Sequence, residues 1–221
     1  MSHGGARAWH GAVALVALAA LVVQVALVIS GESVLVTDGP RPSTGTRLVR
    51  FVSYFTVQAN LLVVIISAGL VLRPDRDGWV WRVLRIDGVV GIAVTGIVHW
   101  FLLRPLLDLN GASYVTDKLL HVVVPLLAVA GWWAFGPRPR ISRGLLLPAM
   151  AWPAAYMVFT LARGAATGWY PYPFVDVGLH GYPAVLLAGV GVIALLLGIA
   201  ALLLVVERSL GPAPGDKPCA Q

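Results

Sequence analysis

The sequence contains a single cysteine, Cys219, close to its C-terminal end. One thiol excludes an internal disulfide and any zinc or iron–sulfur site built from cysteines, and Cys219 stands in no prenylation box. Charge is also scarce: 12% of the 221 residues are charged, against roughly a quarter in soluble domains. A water-soluble globular domain is thereby excluded. Lysine is rarer still, with only Lys118 and Lys217. Neither falls in the interior of an expected membrane span, Lys118 standing at the very start of one, so a retinal Schiff base has no amine to form on. No internal repeat or low-complexity segment is evident, which argues against a solenoid or an inverted-repeat transporter.

Apolar residues dominate what remains, at 58% of the chain, with 24 glycines among the rest. A crossing takes about 20 apolar residues plus a short connection, so the length predicts about six spans and no sizeable extramembrane domain. Uninterrupted apolar stretches place them at 9–30, 51–72, 84–103, 118–135, 144–163 and 179–206. The first runs apolar from Ala12 to Ile29, longer than a signal-peptide core and without an A-x-A cleavage site, so it reads as a span. Proline and glycine breaks at Asp38-Gly39-Pro40, Arg73-Pro74, Arg104-Pro105, Gly136-Pro137 and Tyr170-Pro171 fall between the runs. The expected architecture is an all-α bundle of six transmembrane helices over residues 1–210, followed by a disordered cytoplasmic tail over 211–221.

The formal charge is +6, and the excess is nearly all arginine at the ends of apolar runs. Lipid headgroups and topology explain such residues, so no nucleic-acid partner is expected. One membrane side collects ten basic residues: Arg7, Arg73, Arg76, Arg82, Arg85, Arg138, Arg140, Arg143, Arg208 and Lys217. The other has six: Arg41, Arg47, Arg50, Arg104, Lys118 and Arg163. The positive-inside rule then puts both termini in the cytoplasm of a multi-pass cell-membrane protein. Arginine in place of lysine, with abundant alanine, valine and glycine, is the composition of a GC-rich bacterial gene.

Polar side chains within spans are costly and therefore mark candidate sites. At a rise of about 1.5 Å per residue, Thr56 lies roughly 7 Å and His99 roughly 6 Å below the outer face. His121 opens the fourth span and His180 the sixth, at the same level. Singly, His99 and His180 read as helix-end or headgroup contacts; together the four residues define a polar level in the outer third of the bilayer. His121 is followed by Pro125, whose missing N–H predicts a bend beside the imidazole. Asn60 lies one turn after Thr56 and Gln58 within the same two turns, so both amides should face the bundle interior. Thr95, one turn before His99, is the competing hydroxyl. The Arg163–Asp176 segment, with Tyr170 and five further aromatic or proline residues, reads either as an interfacial belt or as a lid over an outer cavity. Arg85 and Asp87 read as an ion pair at the inner end of the third span.

Three segments resemble the six-span androgen-induced membrane hydrolases of animals and a related group of bacterial six-span proteins. They are Phe55-Thr56-x-x-x-Asn60, His121-x-x-x-Pro125, and Arg163 followed by Gly168-Trp169-Tyr170-Pro171-Tyr172-Pro173-Phe174. In that family an intramembrane threonine on the second helix and a histidine on the fourth hydrolyse fatty acid esters of hydroxy fatty acids. The resemblance implies Thr56 as nucleophile and His121 as its base, without a cofactor or metal and with membrane lipids and a lipid ester as partners. Asn60 would orient the pair or donate to the oxyanion, and His99, Arg163, Tyr170, Asp176 and His180 would bind or support the substrate. Asp117 and Asp176 are the available acids for a third catalytic member.

Two other readings use the same polar level. One is a non-enzymatic carrier or receptor for a small lipophilic or anionic ligand. The other is metal or haem binding through His99, His121 and His180; a transmembrane haem path needs histidines at both faces, so it ranks below the first two.

Overall fold

The computed structural model describes residues 3–32, 41–136 and 143–210. Among these residues the chain is helical, with no strand. Six helical runs are long and apolar enough to cross a membrane: Gly4–Ser30, Phe55–Leu72, Trp79–Leu106, Gly111–Phe135, Gly144–Thr167 and Val177–Ser209. The protein is thus a multi-pass membrane bundle. Six alternating crossings return the end of the last run to the face where the first begins. The expected tail from Gly211, the Asp38-Gly39-Pro40 break, Arg138, Arg140 and Cys219 lie outside the described residues.

The elements in chain order are α1 His3–Ser30, α2 Thr44–Val52, α3 Phe55–Leu72 and α4 Trp79–Val98, then α5 Gly111–Lys118, α6 Val124–Phe135, α7 Arg143–Ala149, α8 Ala151–Thr167 and α9 Val177–Ser209. Two π-turns interrupt the spans: His99–Leu103 prolongs α4, and Leu119–Val123 joins α5 to α6. Helix α9 breaks near its start, where Gly181 adopts φ 73° two residues before Pro183.

α2 is a short helix lying between the first two spans. Ser43 caps it by accepting the N–H of Thr46 at 3.2 Å. Its Arg47 reaches back to the end of α1, donating to the carbonyls of Val28 at 2.9 Å and Ile29 at 3.1 Å. Those carbonyls end a helix and have no partner within it. The turn at Ser53 and Tyr54 then lets α3 start with Thr56 already buried.

α4 is the most buried of the spanning helices. Its Ile86, Val90 and Val94 form one core with Trp132, Leu145, Leu196 and Ala200. A second core joins Val13, Ala59, Val63, Ile92 and Val124 from four helices. Without water to drive apolar faces together, such contacts depend on close packing, which small residues allow. A Cβ at Gly91 would meet the Trp152 ring at 2.8 Å, and one at Gly96 would lie 3.1 Å from the His121 carbonyl oxygen. Gly96 thus lets α4 touch the backbone that carries His121.

The first, third, fourth and sixth spans begin earlier than the hydropathy pattern predicts, and in the third and fourth this bears on charged residues. The fourth helical run starts at Gly111 rather than 118, so Lys118 stands within the run instead of at its first residue. Its ammonium lies 5.3 Å from the ring centroids of both Trp100 and Tyr114. Aromatic faces stabilise a cation at such a distance. The third starts at Trp79, which brings Arg85 and Asp87 inside the bundle, 5% and 6% exposed, instead of at its interface.

Candidate active site

At the end of the bundle away from the chain termini, Thr56 Oγ1 lies 3.3 Å from His121 Nε2. The two side chains come from α3 and from the π-turn before α6. Pro125 explains that turn. The N–H of Val124 bonds to Leu119, one residue further back than in an α-helix. Pro125 has no N–H to offer Leu120 in that wider register or His121 in the ordinary one. Leu120's carbonyl is taken instead by Asn60 Nδ2 at 3.3 Å, and the same amide donates to the Thr56 carbonyl at 2.9 Å. Asn60 is fully buried. It ties together the two backbones that carry the hydroxyl and the imidazole, and its donors do not face the cleft. The bend expected from Pro125 takes the form of this π-turn.

His121 has its other nitrogen fixed as well. Nδ1 lies 3.0 Å from the backbone carbonyl of Asp117, one turn earlier, with good hydrogen-bond alignment. An Nδ1–H donated there leaves the lone pair on Nε2, facing the threonine hydroxyl. The Asp117 carboxylate lies between two imidazoles: Oδ1 is 3.0 Å from His121 Nδ1, and Oδ2 is 3.3 Å from His99 Nε2. By distance these are ion-pair contacts, but neither oxygen receives an aligned hydrogen bond. The attraction is therefore electrostatic, and the carbonyl sets the tautomer. The His99 and His121 rings stack with centroids 3.7 Å apart, 14° from parallel.

Tyr172 completes the wall. Its hydroxyl accepts the N–H of Thr56 at 3.3 Å, its ring packs edge-on against Tyr54 at 5.6 Å, and it is 7% exposed. Burial raises the phenol above its ordinary pKa, so it keeps its proton. A cleft lies over this floor, lined by Thr56, His99, Asp117, His121, Tyr54 and Tyr172 among others. At its mouth Ser113 donates to the Glu32 carboxylate. A second cleft, almost wholly apolar, meets the first at Thr56, Leu103 and Tyr172 and runs between Val94, Val98, Tyr156, Met157 and Leu196.

Four of the eight residues expected from the sequence therefore meet here: Thr56, Asn60, His99 and His121. The other four lie elsewhere, for identifiable reasons. Asp176 caps α9, accepting from Gly178 at 2.8 Å and Leu179 at 3.3 Å. His180 is exposed at the start of that helix. Tyr170 packs onto Gly164, where any Cβ would overlap its ring. Arg163 sits over the Trp169 ring at 4.6 Å. Of the two acids considered for a third member, Asp117 is beside the imidazole. Thr95, the competing hydroxyl, donates to the Gly91 carbonyl at 2.9 Å, and Gln58 bonds to Trp152 at 3.2 Å. The Gly168–Asp176 segment is packed, with Tyr172 and Val175 buried against Leu103 and Val185.

Tyr172 was the residue that sequence reasoning missed, although it stands in the same aromatic motif as Tyr170. No protein-family model matches the chain, and no curated protein or solved structure matches it.

Proposed function

We propose that the protein is an intramembrane hydrolase of lipid esters, with Thr56 as nucleophile and His121 as general base. The observation that carries this reading is the 3.3 Å contact between Thr56 Oγ1 and His121 Nε2 on the floor of a cleft, with the opposite ring nitrogen anchored. A threonine hydroxyl is a weak nucleophile and needs such a base within reach. Proton transfer of this kind contributes about 10²- to 10⁴-fold to a rate. The resemblance to the androgen-induced hydrolases assigns the same two residues and suggests fatty acid esters of hydroxy fatty acids as substrates.

The chemistry follows from the placement. His121 Nε2 takes the Thr56 proton as Oγ1 adds to the ester carbonyl. The oxyanion draws a hydrogen bond from the Tyr172 hydroxyl, whose proton is not used in accepting the Thr56 N–H. The intermediate collapses, the C–O bond to the alcohol breaks, and Nε2 returns its proton to the leaving alcohol. Water then gives a proton to Nε2 and attacks the threonyl ester, releasing the acid and restoring Thr56. The apolar cleft beside Thr56 suits an acyl chain, which enters it from lipid of like polarity and is held by close packing. The ten-to-six distribution of basic residues supports cytoplasmic termini in the cell membrane, which puts the site in the outer leaflet, near the depth of lipid ester carbonyls.

A carrier or receptor is the second reading. It is favoured by the apolar cleft, which can hold a lipophilic molecule without chemistry. Fluorophosphonate labelling of membranes containing the protein, with hydrolysis of a panel of long-chain esters, separates the two. A hydrolase labels at Thr56 and turns esters over; a carrier binds the same esters and releases them intact.

A further inference from the structure

The hydrolase reading leaves one feature of the site unused. His99 is 1% exposed and Asp117 4% exposed, yet both nitrogens of His99 and both carboxylate oxygens of Asp117 lack a hydrogen-bond partner among the described residues. Buried polar atoms are nearly always paired; here His99 Nε2 and the two carboxylate oxygens meet only imidazole or carboxylate atoms of the same cluster, without hydrogen-bond alignment, and His99 Nδ1 meets none among the described residues. The ligating atoms of His99, Asp117 and His121 all lie within 4.8 Å of one another. The carboxylate stands 3.3 Å from one imidazole nitrogen and 3.0 Å from the other. Tetrahedral zinc, with bonds of about 2.0–2.1 Å, places its ligand atoms about 3.3 Å apart. Two of the three donor pairs stand near that spacing, with the third within 4.8 Å, and a carboxylate between two imidazoles suits a cation.

We propose that His99, Asp117 and His121 bind a divalent transition-metal ion of the zinc class, and that this ion switches off His121 as a base. The binding half stands apart from the hydrolase reading, and the switching half rests on it. Two imidazoles and one carboxylate select zinc and its neighbours over magnesium or calcium, which take oxygen ligands. With three protein ligands at the floor of a cleft, the fourth position falls to water.

The stacked rings decide what binding does to catalysis. Their in-plane lone pairs run nearly parallel, so one ring must turn to converge on a single ion. His121 has the room, with its side chain 11% exposed against 1% for His99, and its χ2 torsion is soft. Turning it withdraws Nε2 from Thr56. Coordination through Nδ1 also shifts that nitrogen's proton, relayed by water, to Nε2, which then donates and cannot accept. The metal-bound and catalytic states are mutually exclusive.

The test uses the full chain in detergent micelles, stripped with EDTA and dialysed against Zn²⁺ or Co²⁺. Elemental analysis should give a stoichiometric ion in the wild type, Thr56→Ala and His180→Gln, and Co²⁺ should show the visible bands of tetrahedral coordination. His99→Gln and Asp117→Asn should each bind at least about a hundredfold more weakly, with circular dichroism reporting that each variant is folded. Zinc should suppress ester hydrolysis by the wild type, and EDTA should restore it. A wild type without a stoichiometric ion, or a folded His99→Gln that binds as tightly as wild type, overturns the site. Stoichiometric binding with hydrolysis unchanged or raised overturns the switch. Binding in a protein that cleaves no ester overturns the switch and the hydrolase reading while leaving the site standing.

Discussion

Asn60 on α3 donates its side-chain amide to the carbonyl of Leu120, the residue before His121, at 3.3 Å. That bond takes up a carbonyl that the π-turn and Pro125 leave without a helical donor, and it sets the distance between nucleophile and base. Asn60→Leu should leave the carbonyl buried and unpaired, at about 1–3 kcal/mol. The expected outcome is a lower melting temperature in detergent together with reduced ester turnover. Unchanged turnover in the folded variant would show that the bond does not position the pair.

Pro125 maintains the π-turn by withholding an N–H. Pro125→Ala restores the donor, allows an ordinary helix through 121–125 and moves the imidazole along its helix. Thermal stability should hold or rise, while hydrolysis falls at least about tenfold, the response of a positioning defect. Activity equal to wild type would remove the π-turn from the mechanism.

Tyr172→Phe removes the proposed donor to the oxyanion and keeps the ring. kcat should fall about a hundredfold or more with little change in KM. The phenol's pKa is raised by burial, so what the neutral group adds to stability is fully present below the unfolded value of about 10 and is lost only as pH rises through the higher folded value. Melting temperatures should therefore show no Tyr172-dependent change between about pH 6 and pH 9.

Topology is tested by accessibility. In a Cys219→Ser background, a cysteine at Ser43 should react with an impermeant maleimide from outside intact cells, and one at Asp75 only after the cells are opened. The reverse pattern would place the site in the inner leaflet.

The six spans were legible because each is an apolar run ended by proline, glycine or arginine. Their ends were not, where charged residues lie within the helical runs. Gly111–Lys118 reads as a loop because Asp117 and Lys118 lower its hydropathy. In the structure the first faces two imidazoles and the second two aromatic rings. Thr56, His99 and His121 could be picked out because polar groups are rare in such helices and the pattern sets these at one level, and Asn60 because it lies one turn from Thr56 on the same face. Tyr172 could not be told from Tyr170, since which ring turns inward depends on how the loop packs. The π-turns depend on tertiary partners, Asn60 above all, and local spacing does not reveal them.

The contact between Thr56 and His121 is tested most directly by a double-mutant cycle on ester hydrolysis with Thr56→Ala, His121→Ala and the double variant, and with Thr95→Ala as the hydroxyl control. Residues that act as one unit lose activity non-additively. Each single variant should lose about a thousandfold or more, the double variant should be no slower than either, and Thr95→Ala should retain its rate. Full activity in a folded Thr56→Ala protein, or losses that multiply in the double variant, would contradict the account.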